Sequence, residues 1–151
     1  MKHRVALFTA LILATFTLAG CSPYVLRGKV IEGTDAGVYV VTQTHPRIEA
    51  IGLPDTSIQL TLDPRSLGRK NLGSFNTDPL GRFNITIDQP GAGLLEDEYQ
   101  LVIRRPGYTH VEQIITLPSS DQFLLIVMQR GIDTYQAPQD PLQDVQEYLN
   151  R

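Results

Sequence analysis

Apolar residues fall on every second position through most of this chain, and the cleanest case is Phe83, Ile85 and Ile87 set against Arg82, Asn84, Thr86 and Asp88. A repeat of two is that of a strand with one face on a core and the other in water. Asp78-Pro79-Leu80-Gly81, just upstream, spells a type I turn, with Asp at the first position, Pro pre-setting φ at the second and Gly at the fourth. Such a turn asks for an antiparallel partner immediately before it, and Gly73 to Asn76, with Phe75 inward, is the candidate.

The same alternation marks further strands. Tyr24 to Glu32 sets Leu26, Gly28 and Val30 against Val25, Arg27, Lys29 and Ile31. Ser57 to Leu62 points Ile58, Leu60 and Leu62 inward, and Tyr99, Leu101 and Ile103 alternate with Gln100, Val102 and Arg104 before Pro106-Gly107 closes that strand. Between the first two lies a β-branched run, Val38 to Thr42, and a second short run, Arg47 to Ile51, follows His45-Pro46. Residues 33–52 therefore read as an inserted hairpin or an ordered loop. Thr109 to Leu117 and Gln122 to Gln129, joined through Pro118-Ser119-Ser120-Asp121, read as a final antiparallel pair. Phe123 to Met128 shows no alternation, which predicts a central strand covered on both faces. Residues 63–72 and 89–98 are polar, Gly- and Pro-containing loops. Strands spaced 8 to 12 residues apart with no helical period predict an all-β sandwich over residues 24–131, its core mostly Leu, Ile and Val.

The two ends of the chain differ from this. Within the tail 132–151, Asp140 followed by Pro141 and Gln143 matches an N-cap, a first-turn proline and a capping-box glutamine. Leu142, Val145 and Leu149, with Tyr148, then share one face of a helix about ten residues long, too short to stand alone, so it docks on the sandwich or on a partner, or frays. At the amino end, Lys2, His3 and Arg4 precede an apolar run, Val5 to Leu18, that is short of the roughly 20 residues of a membrane span and reads as a secretory leader.

The leader closes on Leu18-Ala19-Gly20-Cys21, which resembles the lipobox of bacterial lipoproteins. The resemblance implies cleavage between Gly20 and Cys21, removal of residues 1–20, attachment of diacylglycerol to the Cys21 thiol and acylation of the new amino group, with residues 21–23 as the lipidated amino terminus. Ser22 after the cysteine implies sorting to the outer membrane, facing the periplasm. Each buried methylene contributes about 0.8 kcal/mol, so two or three chains anchor a protein stably where one does not. Cys21 is the only cysteine, and lipidation leaves no thiol for a disulfide.

Loss of Lys2 and Arg4 with the leader leaves 11 basic against 16 acidic side chains, a formal charge of −5. Such a surface repels phosphate backbones and argues against nucleic acid as a partner.

The motifs Gly28-Lys29-Val30, Leu53-Pro54-Asp55-Thr56-Ser57-Ile58-Gln59-Leu60, Thr77-Asp78-Pro79-Leu80-Gly81-Arg82-Phe83, Tyr99-Gln100-Leu101-Val102-Ile103 and Pro106-Gly107-Tyr108 together resemble the carboxypeptidase regulatory-like domain. The resemblance covers residues 26–129 and implies a transthyretin-like, Greek-key β-sandwich of about seven strands. It is nearly silent on function. The chain departs from it in carrying residues 33–52 after the first strand, and Glu98, preceded by Glu96 and Asp97, where a glycine is usual.

Candidate chemistry is sparse. Once the leader is gone, His45 and His110 are the remaining histidines; they lie in different segments and neither has a second ligand at metal spacing, so both read as surface or structural. Glu96, Asp97 and Glu98, with Asp88, match no calcium loop and read as solvated charge. Arg65, Arg69 and Lys70 form a cationic patch that faces water or meets an anionic headgroup or glycan. Arg104 and Arg105 form another. Asn84-Ile85-Thr86 matches a glycosylation sequon inside a strand and reads as chance. No cofactor and no catalytic group is expected. The leading expectation is a non-catalytic, lipid-anchored envelope protein that binds an envelope protein or glycan through residues 33–52, 63–72 and 89–98. A carbohydrate-binding module, with Tyr24, Tyr39, Tyr108 and Tyr135 as its aromatic rings, and an accessory lipoprotein of a secretion apparatus are the alternatives.

Overall fold

The computed structural model describes residues 23–136. The strands are β1 (Tyr24–Glu32), β2 (Gly37–Thr42), β3 (Ser57–Leu62), β4 (Lys70–Asn76), β5 (Arg82–Ile87), β6 (Tyr99–Arg104), β7 (Val111–Ile115) and β8 (Gln122–Met128), with one 3-10 turn at Pro46–Glu49. They form two four-stranded sheets, ordered β2-β8-β1-β5 and β4-β3-β6-β7. We call these the first and second sheet. All neighbours are antiparallel except β1 and β8, which run parallel with Gly28 opposite Leu124. The predicted lipobox residues Gly20 and Cys21 and the predicted helix from Asp140 lie outside the described residues.

The core is what alternation predicts. Leu26 and Val30 of β1, Ile85 and Ile87 of β5, and Leu124, Ile126 and Met128 of β8 meet Ile58 and Leu60 of β3 and Leu101 and Ile103 of β6, all buried in one cluster. Each such side chain contributes about 1.5–3 kcal/mol relative to exposure. The unalternating run of β8 is central, between β2 and β1, and Leu124 to Met128 are buried on both faces.

The eight strands in two sheets agree with an all-β sandwich of about seven. Four expectations are corrected. The Asp78 turn forms as read, with Gly81 N donating to Asp78 O at 2.9 Å and Asp78 Oδ1 accepting from Leu80 N and Arg82 N at 2.8 Å each. It does not close a hairpin, however: β4 pairs with β3 and β5 with β1, so the turn carries the chain from one sheet to the other. Likewise β7 pairs with β6 and β8 with β1 and β2, so the final two strands lie in opposite sheets instead of pairing, and β7 meets β2 across the sandwich, where Val38 N donates to Gln113 Oε1 at 3.0 Å. Arg47 to Ile51 is no strand, because Pro46 opens the 3-10 turn there, in which only Ile48 is buried. The loop read as 63–72 ends at Arg69, where Lys70 begins β4.

Two local devices hold the crossovers. Buried Thr77 donates from Oγ1 to Leu53 O at 2.7 Å and accepts from Thr56 N at 2.9 Å, while Thr56 Oγ1 donates to Leu53 O at 3.1 Å. Buried polar atoms left without partners would be costly, and here they satisfy one another. Next to this knot two backbones cross. Gly81 has φ +72°, a Cβ on Gly52 would fall 1.9 Å from Leu80 O, and a Cβ on Gly81 would fall 2.5 Å from Leu53 N. Only glycines allow that approach.

Residues 33–52 add to the sandwich rather than hang from it. They supply β2 as the edge of the first sheet, then run back over that sheet's outer face, where Ile31 bridges to Gly52. Under this cover Ile31, Leu125 and Val127 form a second buried cluster with Val41 against it. Lys29 faces outward as alternation predicts, yet is buried, its ammonium donating to Ile48 O at 2.7 Å and Ala50 O at 2.6 Å.

Candidate functional site

Among the described residues the second sheet's outer face is largely open and polar, with Val102 buried and Ile114 half-buried between the polar positions. Its strand register lines up two rows across β4, β3, β6 and β7: Ser74, Gln59, Val102 and Glu112, then Asn71, Thr61, Gln100 and Ile114. A bulge in β4 after Asn71, where Leu60 faces Gly73 but Thr61 faces Asn71, brings Asn71 into the second row. Above these rows lies a recess of about 460 Å³, walled at one side by Pro64, Arg65 and Arg69 and at the other by Tyr135. The amides of Gln59, Asn71 and Gln100 and the Thr61 hydroxyl share its floor with Val102 and Ile114, guanidinium groups stand at one rim and a phenol ring at the other.

The Tyr135 rim is fixed by charge. Arg104 Nε lies 2.7 Å from Asp133 Oδ2, the Arg104 guanidinium sits 5.1 Å from the Tyr135 ring centre, and the His110 ring meets Tyr135 edge-on at 5.3 Å. Tyr135 N donates to Asp133 Oδ1 at 3.0 Å. That backbone bond, reinforced by Arg104, holds the Asp133 carboxyl below the usual carboxylate range.

Of the residues singled out from sequence, Arg65 and Arg69 line the recess, while Lys70 turns away and reaches Gln89 Oε1 at 3.3 Å. Glu96, Asp97 and Glu98 line a separate shallow depression with Asp63 and Ser66, linked to the recess through Arg65, whose Nη1 is 3.6 Å from Glu98 Oε1. Both partners of that pair are largely exposed, so it orients more than it stabilises. Among the described residues no group of three His, Cys, Asp or Glu side chains converges to hold a metal. His45 accepts from Arg47 N through Nδ1 at 3.3 Å and caps the 3-10 turn, and His110 Nδ1 lies 3.4 Å from Asp133 Oδ1.

The four tyrosines do not form one platform. Tyr108 is buried and donates to Glu32 Oε2 at 2.7 Å, Tyr24 is half-buried and donates to Pro118 O at 2.6 Å, and Tyr39 sits on the first sheet, leaving Tyr135 alone at the recess. The hydrogen bond from Arg130, then that from Tyr108, lowers the Glu32 carboxyl pKa, and the same contact raises the Tyr108 phenol. Sequence reading missed Gln59, Thr61 and Asn71 as site residues. Their signal was present, since amides and hydroxyls rather than charges occupy the outward positions of two strands.

Comparison with protein-family models, with curated proteins and with solved structures gives no match to this chain. The reading of its function rests on its own residues.

Proposed function

We propose that this is a non-catalytic, lipid-anchored lipoprotein of the bacterial cell envelope, held in the outer membrane and facing the periplasm, whose recess on the second sheet binds another envelope component. The observation that carries the binding reading is the recess itself, where a polar floor, Arg65, Arg69 and Tyr135 lie open on a face that no segment covers among the described residues. Leader and lipobox carry the anchor, with Cys21 as the acylated residue. The domain is transthyretin-like and Greek-key in this reading. In support, four of the seven connections between consecutive strands pass from one sheet to the other, and setting β2 aside leaves seven strands, three against four. The residues 33–52 that depart from the family pattern are then an added edge strand and cover.

Crosslinking in intact cells followed by pull-down tests the reading, with mass spectrometry of the amino-terminal peptide for Cys21. Arg69→Glu with Gln100→Ala is expected to abolish partner capture while thermal stability is unchanged. Unmodified Cys21 in the mature product, or capture indifferent to both substitutions, would refute it. A carbohydrate ligand is the second reading. Tyr135 beside the amides of Gln59, Asn71 and Gln100 favours it, because a ring face stacks on a sugar and amides bond its hydroxyls.

A further inference from the structure

We propose that the end of the sandwich carrying the amino terminus lies directly against the lipid bilayer, with Leu67, Leu94 and Leu95 inserted among the lipids. The inference deepens the anchor reading above and rests on it. Strand ends fix which loops share this end. Tyr24 pairs with Ile87, Leu62 with both Lys70 and Tyr99, and Tyr99 with Ile115, so the loops 63–69, 88–98 and 116–121 all emerge beside the start of β1. On the first two, Leu67 is 109% exposed, Leu94 89% and Leu95 57%. A core supplies no reason for leucines at such tips.

The loops are braced together. Asp63 N donates to Glu98 O at 2.9 Å, and Lys70 Nζ reaches Gln89 Oε1 at 3.3 Å. Tyr24 is built into the same surface. Its hydroxyl bonds Pro118 O at 2.6 Å, and its ring packs so closely on Gly93 that a Cβ there would fall 2.4 Å from it. The chain therefore leaves the fold from the loop that carries Leu94 and Leu95. Three residue steps separate Tyr24 from Cys21, a reach of about 10 Å when extended. Acyl chains at Cys21 would hold the leucines at the interface, where even weak insertion is favoured by tethering. Asp63, Asp88, Glu96, Asp97, Glu98 and Asp121 outnumber Arg65, Arg69 and Lys70 at this end. Apolar insertion rather than anionic headgroups therefore drives the contact, and added salt leaves it unchanged.

The opposite end supplies internal controls, since Ile51 is 91% and Leu80 59% exposed there, a strand length away. The test uses the full chain, isolated from bacterial membranes and reconstituted in phosphatidylethanolamine vesicles, with Leu67→Cys, Leu94→Cys, Ile51→Cys or Leu80→Cys carrying an environment-sensitive fluorophore. Lipid-borne quenchers report insertion and mass spectrometry reports acylation of Cys21. All four positions are exposed and tolerate substitution. Labels at 67 and 94 are expected to be blue-shifted and quenched several-fold more than those at 51 and 80. Equal exposure of all four with Cys21 acylated overturns the docking and leaves the anchor standing. Quenching at 67 and 94 with Cys21 unmodified sustains the docking and overturns the anchor. Neither quenching nor acylation overturns both.

Discussion

The outer faces of the two sheets began from the same requirement, a pleated layer with one side on the core, and ended differently. On the first sheet Ile31, Leu125, Val127 and Val41 form an apolar stripe that would be unfavourable in water, and residues 43–52 fold over it. The second sheet's equivalent rows set Gln59, Thr61, Asn71 and Gln100, which water satisfies, around Val102 and Ile114, and no segment among the described residues folds over them. An apolar outer face recruits the protein's own chain; a polar one stays available to something else.

The largest effects test the covered side. Leu125→Asp places a carboxylate in a cluster where the leucine is 1% exposed, and it is expected to cost on the order of 4 kcal/mol or prevent folding. Gln100→Ala, on the open face, is expected to change stability by less than about 0.5 kcal/mol. Urea unfolding midpoints of the two variants measure the contrast, and equal midpoints would break the comparison.

Next in size is the link that holds the cover. Lys29→Met keeps the apolar stem but leaves Ile48 O and Ala50 O without their donor, which is expected to cost about 2 kcal/mol. Amide hydrogen exchange sharpens this result: protection should fall across residues 46–52 and stay intact in β3 and β6. Loss spread evenly over both sheets would mean that the cover and the sandwich unfold as one unit.

A smaller contribution comes from Asp35, whose two oxygens accept from Arg47 on the cover at 2.7 and 2.9 Å. The Arg47 hydrogen bonds, ahead of a bond from its own backbone, hold this carboxyl below its ordinary value. A group whose pKa is lowered by folding adds stability that is complete above its unfolded value, around pH 4, and is lost as pH falls through the folded value. Asp35→Asn should therefore flatten the acid limb of the stability curve while leaving the pH 7 to 8 region parallel to wild type. An unchanged acid limb would show that Arg47 contributes nothing through this pair.

Strand existence was legible in the residues because alternation is local. Tyr24–Glu32 and Ser57–Leu62 begin and end where the pattern does. Pairing was not, because a type I turn reverses the chain without specifying whether the second strand stays in its sheet. What decides it is the Thr56–Thr77 knot and the Gly52–Gly81 crossing, contacts between segments 21 to 29 residues apart in number. Lys29 makes the same point. Its outward direction follows from its neighbours, its burial only from residues that fold back on it. Arg65 and Arg69 stood out as charges, whereas the amides that make their loop into the wall of a recess stood out only once register aligned four strands.

The smallest effect on stability is expected where the functional consequence is largest. Tyr135 is held by Arg104 and His110 at the rim of the open face, away from both buried clusters. Tyr135→Phe keeps the ring and Tyr135→Ala removes it, and neither should shift the unfolding midpoint by more than about 0.5 kcal/mol. The pair of variants separates the two ligand classes. If the recess takes a sugar, stacking carries the ring's share, so Phe retains glycan-array binding and Ala loses it. If it takes a protein, capture is expected to depend on Arg69→Glu more than on either. Wild-type binding in all three variants would mean that the open face is merely solvated, and the contrast between the two sheets would then concern folding alone.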